Sequence, residues 1–415
     1  MMTYQDLLKT LFLKAVEVAD PMQSLKEALP EKPQGRVIVV GAGKASARMA
    51  EAVEQVWGVC DGLVITRYGY GRPCKGVKII EAAHPVPDEA GRNATHEMLK
   101  LLETAREDDF VLALISGGAS ALLTAPAGHI SLEEKQALNK QLLSSGAPIT
   151  QMNTVRKHLS RVKGGQLAAA AYPANMLTLM ISDIPGDDPA FIGSGPTVGD
   201  DSSVTDAKAI LAHWSITPSQ SILDVLNTPS GVIPTHDKRL STTKNVIYAA
   251  PSQSLEAAAI LAKAKGFDVE ILGDAIEGEA REVAKTQIEY ALTLAKKTRS
   301  KPLILMSGGE LTVTQTGTGI GGPNAEFVLA AAIAAQNHPR LHILACDTDG
   351  VDGAAEVAGA YAGPDTLINA LNLKIDPLSE LNNNNAHRFF EQLNQQVVTG
   401  PTLTNVNDFR VILIA

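Results

Sequence analysis

The stretch from Phe110 to Ser120 reads FVLALISGGAS, and it decides the fold class. Its first six residues are apolar on both faces, which is typical of a central strand in a parallel sheet. Glycine and serine residues follow, before a helical segment. Small residues let a phosphate approach the backbone closely, and open α/β sheets bind ligands at the carboxyl ends of their strands. We therefore predict phosphate binding by Ser116, Gly117, Gly118 and Ser120.

The same arrangement occurs earlier, where residues 36–46 read RVIVVGAGKAS. A buried strand, a glycine turn and a helix over about 45–56 present backbone N–H groups and a positive helix end to an anion. The turn lacks the first glycine of a P-loop, and Ser46 stands where a dinucleotide fingerprint requires its third glycine. Lys44 lies just beyond the carboxyl end of the strand, where it would contact a ligand. The alternative is a solvated lysine at the start of a helix.

A basic segment precedes the next apolar strand candidate, Met176–Ile181. If the segment is helical, five polar residues share one face, which indicates either an anionic-substrate surface or a solvated basic face. These residues are Asn153, Arg156, Lys157, Ser160 and Lys163.

Two loops carry acidic residues, whose negative charge complements that of the basic segment. Asp183 follows the Met176–Ile181 strand, at a position suited to a general base or a Mg²⁺ ligand. Ser194 and Gly195 lie in a further glycine loop, which we assign to substrate or phosphate binding. Asp347 and Asp349 belong to a group of three carboxylates in six residues. Their spacing fits a Mg²⁺–phosphate role and a plain Asx-turn cluster equally well.

Length and composition indicate the number of domains and exclude some classes of protein. A chain of 415 residues predicts two or three domains, and a polar run with prolines places a boundary near residue 240. A net charge of −9 and 4% aromatic residues argue against a nucleic-acid binder. Three cysteines without metal-ligand spacing predict reduced thiols, and no apolar run is long enough for a membrane span. We therefore expect a cytoplasmic protein, and we find no signal for its oligomeric state.

Taken in order, these segments resemble the class II glycerate 2-kinase family, whose members carry a C-terminal MOFRL domain. The resemblance covers nearly the whole chain. Its carriers are GAGKA at 41–45, HPVPD at 84–88, SGGAS at 116–120, the basic segment 153–165, SDIPGDD at 182–188, SGPT at 194–197, SGGE at 307–310 and DTDGVDG at 347–353.

The resemblance implies two α/β domains with the active site in the cleft between them. Residues 1–239 would form a Rossmann-like domain with a largely parallel sheet, and residues 240–415 a smaller MOFRL-type domain. It also implies phosphorylation of D-glycerate at its 2-hydroxyl by ATP with Mg²⁺, so that the partners are a small hydroxy acid and a nucleotide. Family members are also often labelled hydroxypyruvate reductases.

The chain departs from the family pattern in one loop. Family kinases typically read Gly-Arg-Gly-Gly-Arg-Asn-Gln-Glu there, whereas residues 319–326 read GIGGPNAE. Ile320 and Pro323 replace two arginines that would suit a carboxylate or a phosphoryl group. Asn324 and Glu326 remain, and Asn324 is predicted to contact substrate.

Phosphoryl transfer depends on positioning and charge neutralisation. Our hypothesis assigns Lys44 to the transferring phosphate, Arg156 and Lys157 to a carboxylate or phosphate, and Asp183 to the 2-hydroxyl. The alternatives are an NAD(P)H-dependent hydroxypyruvate reductase and a non-catalytic metabolite-binding homologue.

Overall fold

The structure, a computed structural model, describes residues 2–415 and divides into two compact units. The parallel-sheet unit comprises Ser24–Ser182 and Asp187–Tyr248. The mixed-sheet unit comprises the chain up to Gln23, the short segment Asp183–Gly186, and Ala249–Ala415. The α/β fold class predicted from the sequence is confirmed, because each unit is built around a six-stranded sheet with helices.

The sheet of the parallel-sheet unit has the order β3-β2-β1-β4-β5-β6, and the registers from β3 to β5 are parallel. Its strands are β1 (Val37–Ala42), β2 (Asp61–Arg67), β3 (Val77–Ala82), β4 (Phe110–Ile115), β5 (Asn175–Ile181) and β6 (Thr243–Ala249). Its helices are α3 (Ser46–Trp57), α4 (Glu89–Leu102), α5 (Ala119–Leu122), α6 (Leu132–Ser145), α7 (Ile149–His158), α8 (Gln166–Ala171), α9 (Val204–His213) and α10 (Gln220–Leu226), with 3₁₀ turns at Ile192–Ser194 and Lys238–Leu240.

The strand order reverses between β1 and β4. This is the order of Rossmann-like sheets, in which ligands bind beyond the carboxyl ends of the strands at the reversal. β1 and β4 pair in register, with Ala42 opposite Ile115. The two glycine loops found in the sequence begin directly after these two strands, so the topology brings both to one position.

The mixed-sheet unit has a sheet of order β13-β12-β11-β14-β9-β7, antiparallel except for the pair β7 and β9. Its strands are β7 (Asp268–Gly273), β8 (Gly278–Glu279), β9 (Leu303–Gly309), β10 (Leu311–Thr312), β11 (Leu341–Asp347), β12 (Gly359–Ala362), β13 (Gln396–Val397) and β14 (Asp408–Ile414). Its helices are α1 (Tyr4–Ala19), α11 (Pro251–Ala264), α12 (Ala280–Ala295), α13 (Pro323–Ala335), α14 (Thr366–Asn372), α15 (Pro377–Asn382) and α16 (Ala386–Gln392), and α2 (Pro21–Ala28) spans the division at Gln23.

The units differ at three places from the domains predicted at 1–239 and 240–415, and the first is the segment Asp183–Gly186, which belongs to the mixed-sheet unit. Helix α1 belongs with the mixed-sheet unit, because its apolar face, including Leu8 and Phe12, packs in one core with Leu255 and Phe409. Strand β6 extends the parallel sheet, so the units divide at Tyr248 rather than near 240.

Within residues 2–415, no helix combines the length and the apolar character needed to cross a bilayer.

Candidate active site

The two glycine loops are hydrogen-bonded to each other at the reversal of strand order. The N–H of Lys44 donates to the carbonyl of Gly117 at 2.8 Å, and the N–H of Ser116 donates to the carbonyl of Ala42 at 3.2 Å. Helix α3 begins at Ser46, directly after the first loop. The arrangement directs a helix N-terminus and a lysine toward the carboxyl edge of the sheet, which suits an anionic ligand.

The Ser116 side chain fastens these loops together. It is fully buried, and its Oγ accepts the N–H of Ala45 at 3.0 Å and lies 3.1 Å from the Ser46 Oγ. Its hydroxyl therefore serves the packing of the loops. The phosphate-binding role predicted for residues 116–120 depends on backbone N–H groups instead.

Gly118 is flanked by two side chains from other segments. It has a φ of +84°, and a Cβ there would lie 3.0 Å from Cδ2 of His84 and 3.3 Å from Cγ of Lys44. The fold thus brings Lys44, His84 and the second glycine loop to one place. The lysine and the imidazole are polar groups that a phosphate could contact.

Gly43 is required by the close approach of the loops. Its φ is +143°, and a Cβ would lie 2.0 Å from the Ser116 Oγ. We expect Gly43→Ala to lower the free energy of unfolding by about 2–5 kcal/mol, because backbone strain and overpacking add. Gly58→Ala is the matched control, since Gly58 has a φ of +77° with nothing within 4 Å. Urea unfolding of both variants separates the two causes; equal losses would show that the contact with Ser116 is unimportant.

Three residues predicted to bind substrate form one hydrogen-bonded chain. The Oγ atoms of Ser120 and Ser194 lie 2.8 Å apart, and the Ser194 hydroxyl donates to Oδ1 of Asn153 at 3.1 Å. The ammonium of Lys163 donates to the carbonyl of Ser120 at 2.8 Å. Gly195 accepts the N–H of Gly165 at 2.8 Å. The glycine loop at 193–195 is therefore tied to both α7 and the loop after β4.

The basic segment does not form the single helical face that its spacing predicts. Helix α7 ends at His158, because the Ser160 Oγ accepts the N–H groups of Val162 and Lys163 and the chain turns away. Ser160 and Lys163 therefore lie outside the helix, and the prediction of one continuous face was wrong.

Lys157 and Arg156 have different surroundings. Lys157 is buried, and its Nζ pairs with Oδ2 of Asp200 at 2.6 Å. Its charge is already balanced within the unit, which leaves its predicted role in holding substrate without support from this geometry. Arg156 is half-buried and donates from Nε to Oδ1 of Asn139 at 3.1 Å.

In the mixed-sheet unit, Asp347 and Asp349 form consecutive Asx turns after β11. The N–H of Asp349 donates to Oδ1 of Asp347 at 2.9 Å, and the N–H of Val351 donates to Oδ1 of Asp349 at 2.8 Å. Each carboxylate thus commits one oxygen to the loop. This fixes the loop and orients both side chains.

Asp183 is held by two asparagines that the sequence analysis missed. Asn405 donates from Nδ2 to Oδ2 of Asp183 at 3.0 Å, and Asn407 donates to its carbonyl at 3.0 Å. The carbonyl of Asn407 also accepts the Thr348 hydroxyl at 2.6 Å. Asp183 and the 347–349 loop are therefore joined through residues just before β14. The only sequence signal is the pair of asparagines in the run Asn405–Asn407, which is too weak to indicate a site.

Asn324 lies in a buried acidic cluster at the start of α13. Its Nδ2 donates to Oδ1 of Asp408 at 2.6 Å. The N–H groups of Asn324 and Ala325 donate to the carboxylate of Asp352 at 2.9 and 2.8 Å. The helix N-terminus thus already has an internal carboxylate, and Asn324 is fully buried. This geometry gives no support to its predicted substrate contact.

Among the described residues, the predicted Mg²⁺ ligands Asp347 and Asp349 do not belong to a larger group of metal-binding side chains. Within residues 2–415, no three His, Cys, Asp or Glu side chains converge on a metal position. Mg²⁺ in phosphoryl-transfer sites uses one or two carboxylates and takes its other ligands from phosphates and water. Asp347 and Asp349, two residues apart and oriented by their loop, fit that limited role.

A Rossmann-like sheet with two glycine loops at its reversal point places the protein in the class of α/β proteins that handle anionic or phosphorylated ligands. Comparison with known proteins is more specific. The protein-family model described as a domain of unknown function, DUF4147, matches residues 7–227. The family model of MOFRL matches residues 303–408. The chain belongs to the glycerate 2-kinase family with DUF4147 and MOFRL domains.

Relatives in this family carry two kinds of name. The chain is 46% identical to a putative hydroxypyruvate reductase of Agrobacterium vitis, over 100% of this chain and 96% of the relative. It is 38% identical to the D-glycerate 2-kinase of Thermotoga maritima, over 97% and 96% of the two chains. The crystal structure of the Thermotoga maritima glycerate kinase superposes with a TM-score of 0.89 at 37% identity, over 99% of each chain.

Proposed function

We propose that the protein phosphorylates D-glycerate at its 2-hydroxyl with ATP, giving 2-phosphoglycerate. The observation that carries this proposal is the pair of glycine loops with Lys44 at the reversal of strand order, in a chain whose family includes named glycerate 2-kinases. Phosphoryl transfer needs donors that neutralise charge on the moving group, and these loops offer an ammonium and backbone N–H groups.

The predicted residues whose side chains or backbone groups remain available receive specific roles. Lys44 and the backbone N–H groups of Gly117, Gly118 and Ser120 contact phosphate. Arg156 binds the carboxylate of the hydroxy acid, since a guanidinium matches a carboxylate with two parallel hydrogen bonds. Asp183, oriented by Asn405, accepts the proton of the 2-hydroxyl.

Asp347 and Asp349 would hold Mg²⁺ together with nucleotide phosphates. When bound, the ion neutralises charge on those phosphates. The protein's own contribution is to keep both carboxylates oriented through the two Asx turns.

One coupled assay tests the proposal against its alternatives. The protein is incubated with ATP, Mg²⁺ and D-glycerate while ADP is measured, and separately with hydroxypyruvate and NADPH while absorbance is followed. ADP formation that requires D-glycerate supports the kinase. Loss of NADPH without ADP formation would instead support the reductase named among the Agrobacterium vitis relatives. Binding without either turnover would support a metabolite sensor.

The reductase alternative finds little support at the first glycine loop. The third glycine of a dinucleotide fingerprint lets the helix pack closely on the sheet beside the pyrophosphate. Ser46 holds that place here, fully buried, and its hydroxyl donates to the carbonyl of Leu114 at 2.9 Å.

The loop with Ile320 and Pro323 is rigidly held. The N–H of Ile320 donates to Oδ1 of Asn385 at 3.0 Å, and its carbonyl accepts the N–H of His387 at 3.1 Å. The Ile320 side chain is 58% exposed, whereas Pro323 is the first residue of α13. A new side chain at 320 can therefore be introduced without disturbing the backbone bonds.

We expect Ile320→Arg to raise kcat/KM for D-glycerate by about 10-fold to 100-fold, because a charge-assisted hydrogen bond contributes about 1.5–3 kcal/mol. Steady-state ADP release at several D-glycerate concentrations measures the change. Ile320→Met is the uncharged control of similar length and should leave kcat/KM near that of the parent. An equal effect of both substitutions, or none, would show that this loop does not contact the substrate anion.

A further inference from the structure

We propose that Lys135, Asn139 and Arg156 form a pocket that binds one small oxyanion, either a carboxylate or a phosphate group. The pocket lies in the parallel-sheet unit, and Leu138, Leu159 and Ile222 supply its apolar walls. Lys135 and Asn139 project from α6 and Arg156 from α7. The proposal deepens the proposed function where the occupant is the substrate carboxylate, and it adds Lys135, a residue with no role so far.

The charges in this pocket are not balanced by the protein. Within residues 2–415, neither Lys135 nor Arg156 forms an ion pair with a carboxylate, although Lys157 on the same helix pairs with Asp200 at 2.6 Å. Burial is the largest cause that lowers the pKa of Lys135 to about 8, and the charge of Arg156 adds to it. A protein that leaves two partly buried cations side by side incurs a free-energy cost, which a bound anion relieves.

A third basic side chain, Lys163, lies near these two. Lys163 is fully buried with its ammonium on the carbonyl of Ser120. Burial lowers its pKa well below the ordinary value, and the charges of Lys135, Arg156 and Lys157 lower it further. Like charges gathered in one buried region are seldom structural, since each raises the cost of the others.

The guanidinium of Arg156 is already oriented. Its Nε donates to Oδ1 of Asn139 at 3.1 Å, and its Nη1 lies 3.5 Å from Oδ1 of Asn153. Its Nη2 has no hydrogen-bond partner among the residues that the structure describes. Side chains fixed before binding lose little entropy when a ligand arrives.

Size limits the ligand class. The cavity has a volume of about 20 Å³, close to the space that one ordered water needs. This space matches the oxygen atoms of a carboxylate or phosphate group, while a nucleotide cannot enter. Because D-glycerate and inorganic phosphate share this chemistry, the experiment must separate them.

The first test compares thermal unfolding of the full-length parent and of Lys135→Met. Each is measured without nucleotide, alone, with D-glycerate and with inorganic phosphate. For the unliganded variant we expect a Tm equal to or above that of the parent, because a buried unpaired charge is removed. At about ten times Kd, an anion should raise the parent Tm by about 2 °C, and this rise should be lost in Lys135→Met. The control is Lys140→Met, an exposed lysine on the same helix, which should keep the full rise.

The second test separates the two sources of the anion. If the pocket binds the substrate carboxylate, Lys135→Met raises KM for D-glycerate about 10-fold to 100-fold and leaves KM for ATP unchanged. If it binds free phosphate, the phosphate-induced rise in Tm is lost while KM for D-glycerate stays constant. The pocket is disproved if Lys135→Met keeps the parent's rise in Tm with both anions. Absence of ADP formation by the parent would overturn the proposed kinase activity alone, since the unfolding test needs no turnover.

Discussion

Lys44→Ala is expected to lower kcat for ADP formation by about 10²-fold to 10³-fold, the loss typical when one donor to a developing charge is removed. Lys44 follows β1 at the reversal of strand order, and its Cγ lies 3.3 Å from the position of a Cβ on Gly118. Its N–H already bonds the second loop at 2.8 Å, so the backbone around it should survive the substitution. Steady-state kinetics with saturating ATP and D-glycerate measure the effect.

Two further variants test whether the loss of kcat comes from the Lys44 ammonium itself. Lys44→Arg keeps the charge but changes its geometry, so we expect partial activity, because a guanidinium is a planar fork and an ammonium a compact point charge. Lys100→Ala removes an exposed lysine from α4 and should leave kcat unchanged. Near-normal turnover by Lys44→Ala with an unchanged Tm would show that this lysine does not contact the transferring phosphate.

Asp183→Asn should lower kcat by about 10²-fold to 10⁴-fold, the range that general base catalysis contributes. The substitution keeps the shape of the side chain and its contact with Asn405, which is 3.0 Å from Oδ2 in the parent. The negative charge and the ability to accept a proton are lost, while the amide oxygen can still accept the hydrogen bond from Asn405, so Tm should change little. ADP release measured over a range of pH tests this role.

Controls for Asp183 come from the same loop and from its partner. Asp188→Asn alters an exposed carboxylate five positions later and should be neutral for kcat. Asn405→Ala removes the orienting amide and leaves the base, so it should cost less than Asp183→Asn at every pH. Equal kcat values for Asp183→Asn and the parent would rule out the general-base role.

The strands near the site could be predicted closely from the sequence. Strand β4 has the bounds Phe110–Ile115 that its apolar run indicates, and the predicted run Met176–Ile181 covers all of β5 except its first residue, since central strands of a parallel sheet are apolar on both faces. The glycine turns were visible for a similar local reason. Gly43, for example, has a φ of +143° and a neighbouring oxygen where a Cβ would stand.

The helical face predicted for residues 153–163 shows where local periodicity fails. Spacing assumes that a helix continues, but the Ser160 hydroxyl captures two backbone N–H groups and α7 ends at His158. Serine competes for backbone hydrogen bonds in this way, and the sequence alone does not reveal which conformation prevails.

The strands beside the site, the glycine loops and the family could be predicted from the sequence, because these depend on local patterns of apolar and small residues. Which charges are paired depends instead on tertiary contacts. Lys157 meets Asp200 across 43 positions, and Asp183 meets Asn405 across 222. Lys135 and Arg156, in contrast, are brought together without a carboxylate. Burial and pairing set the free energy of a charge, and both arise from contacts between distant parts of the chain.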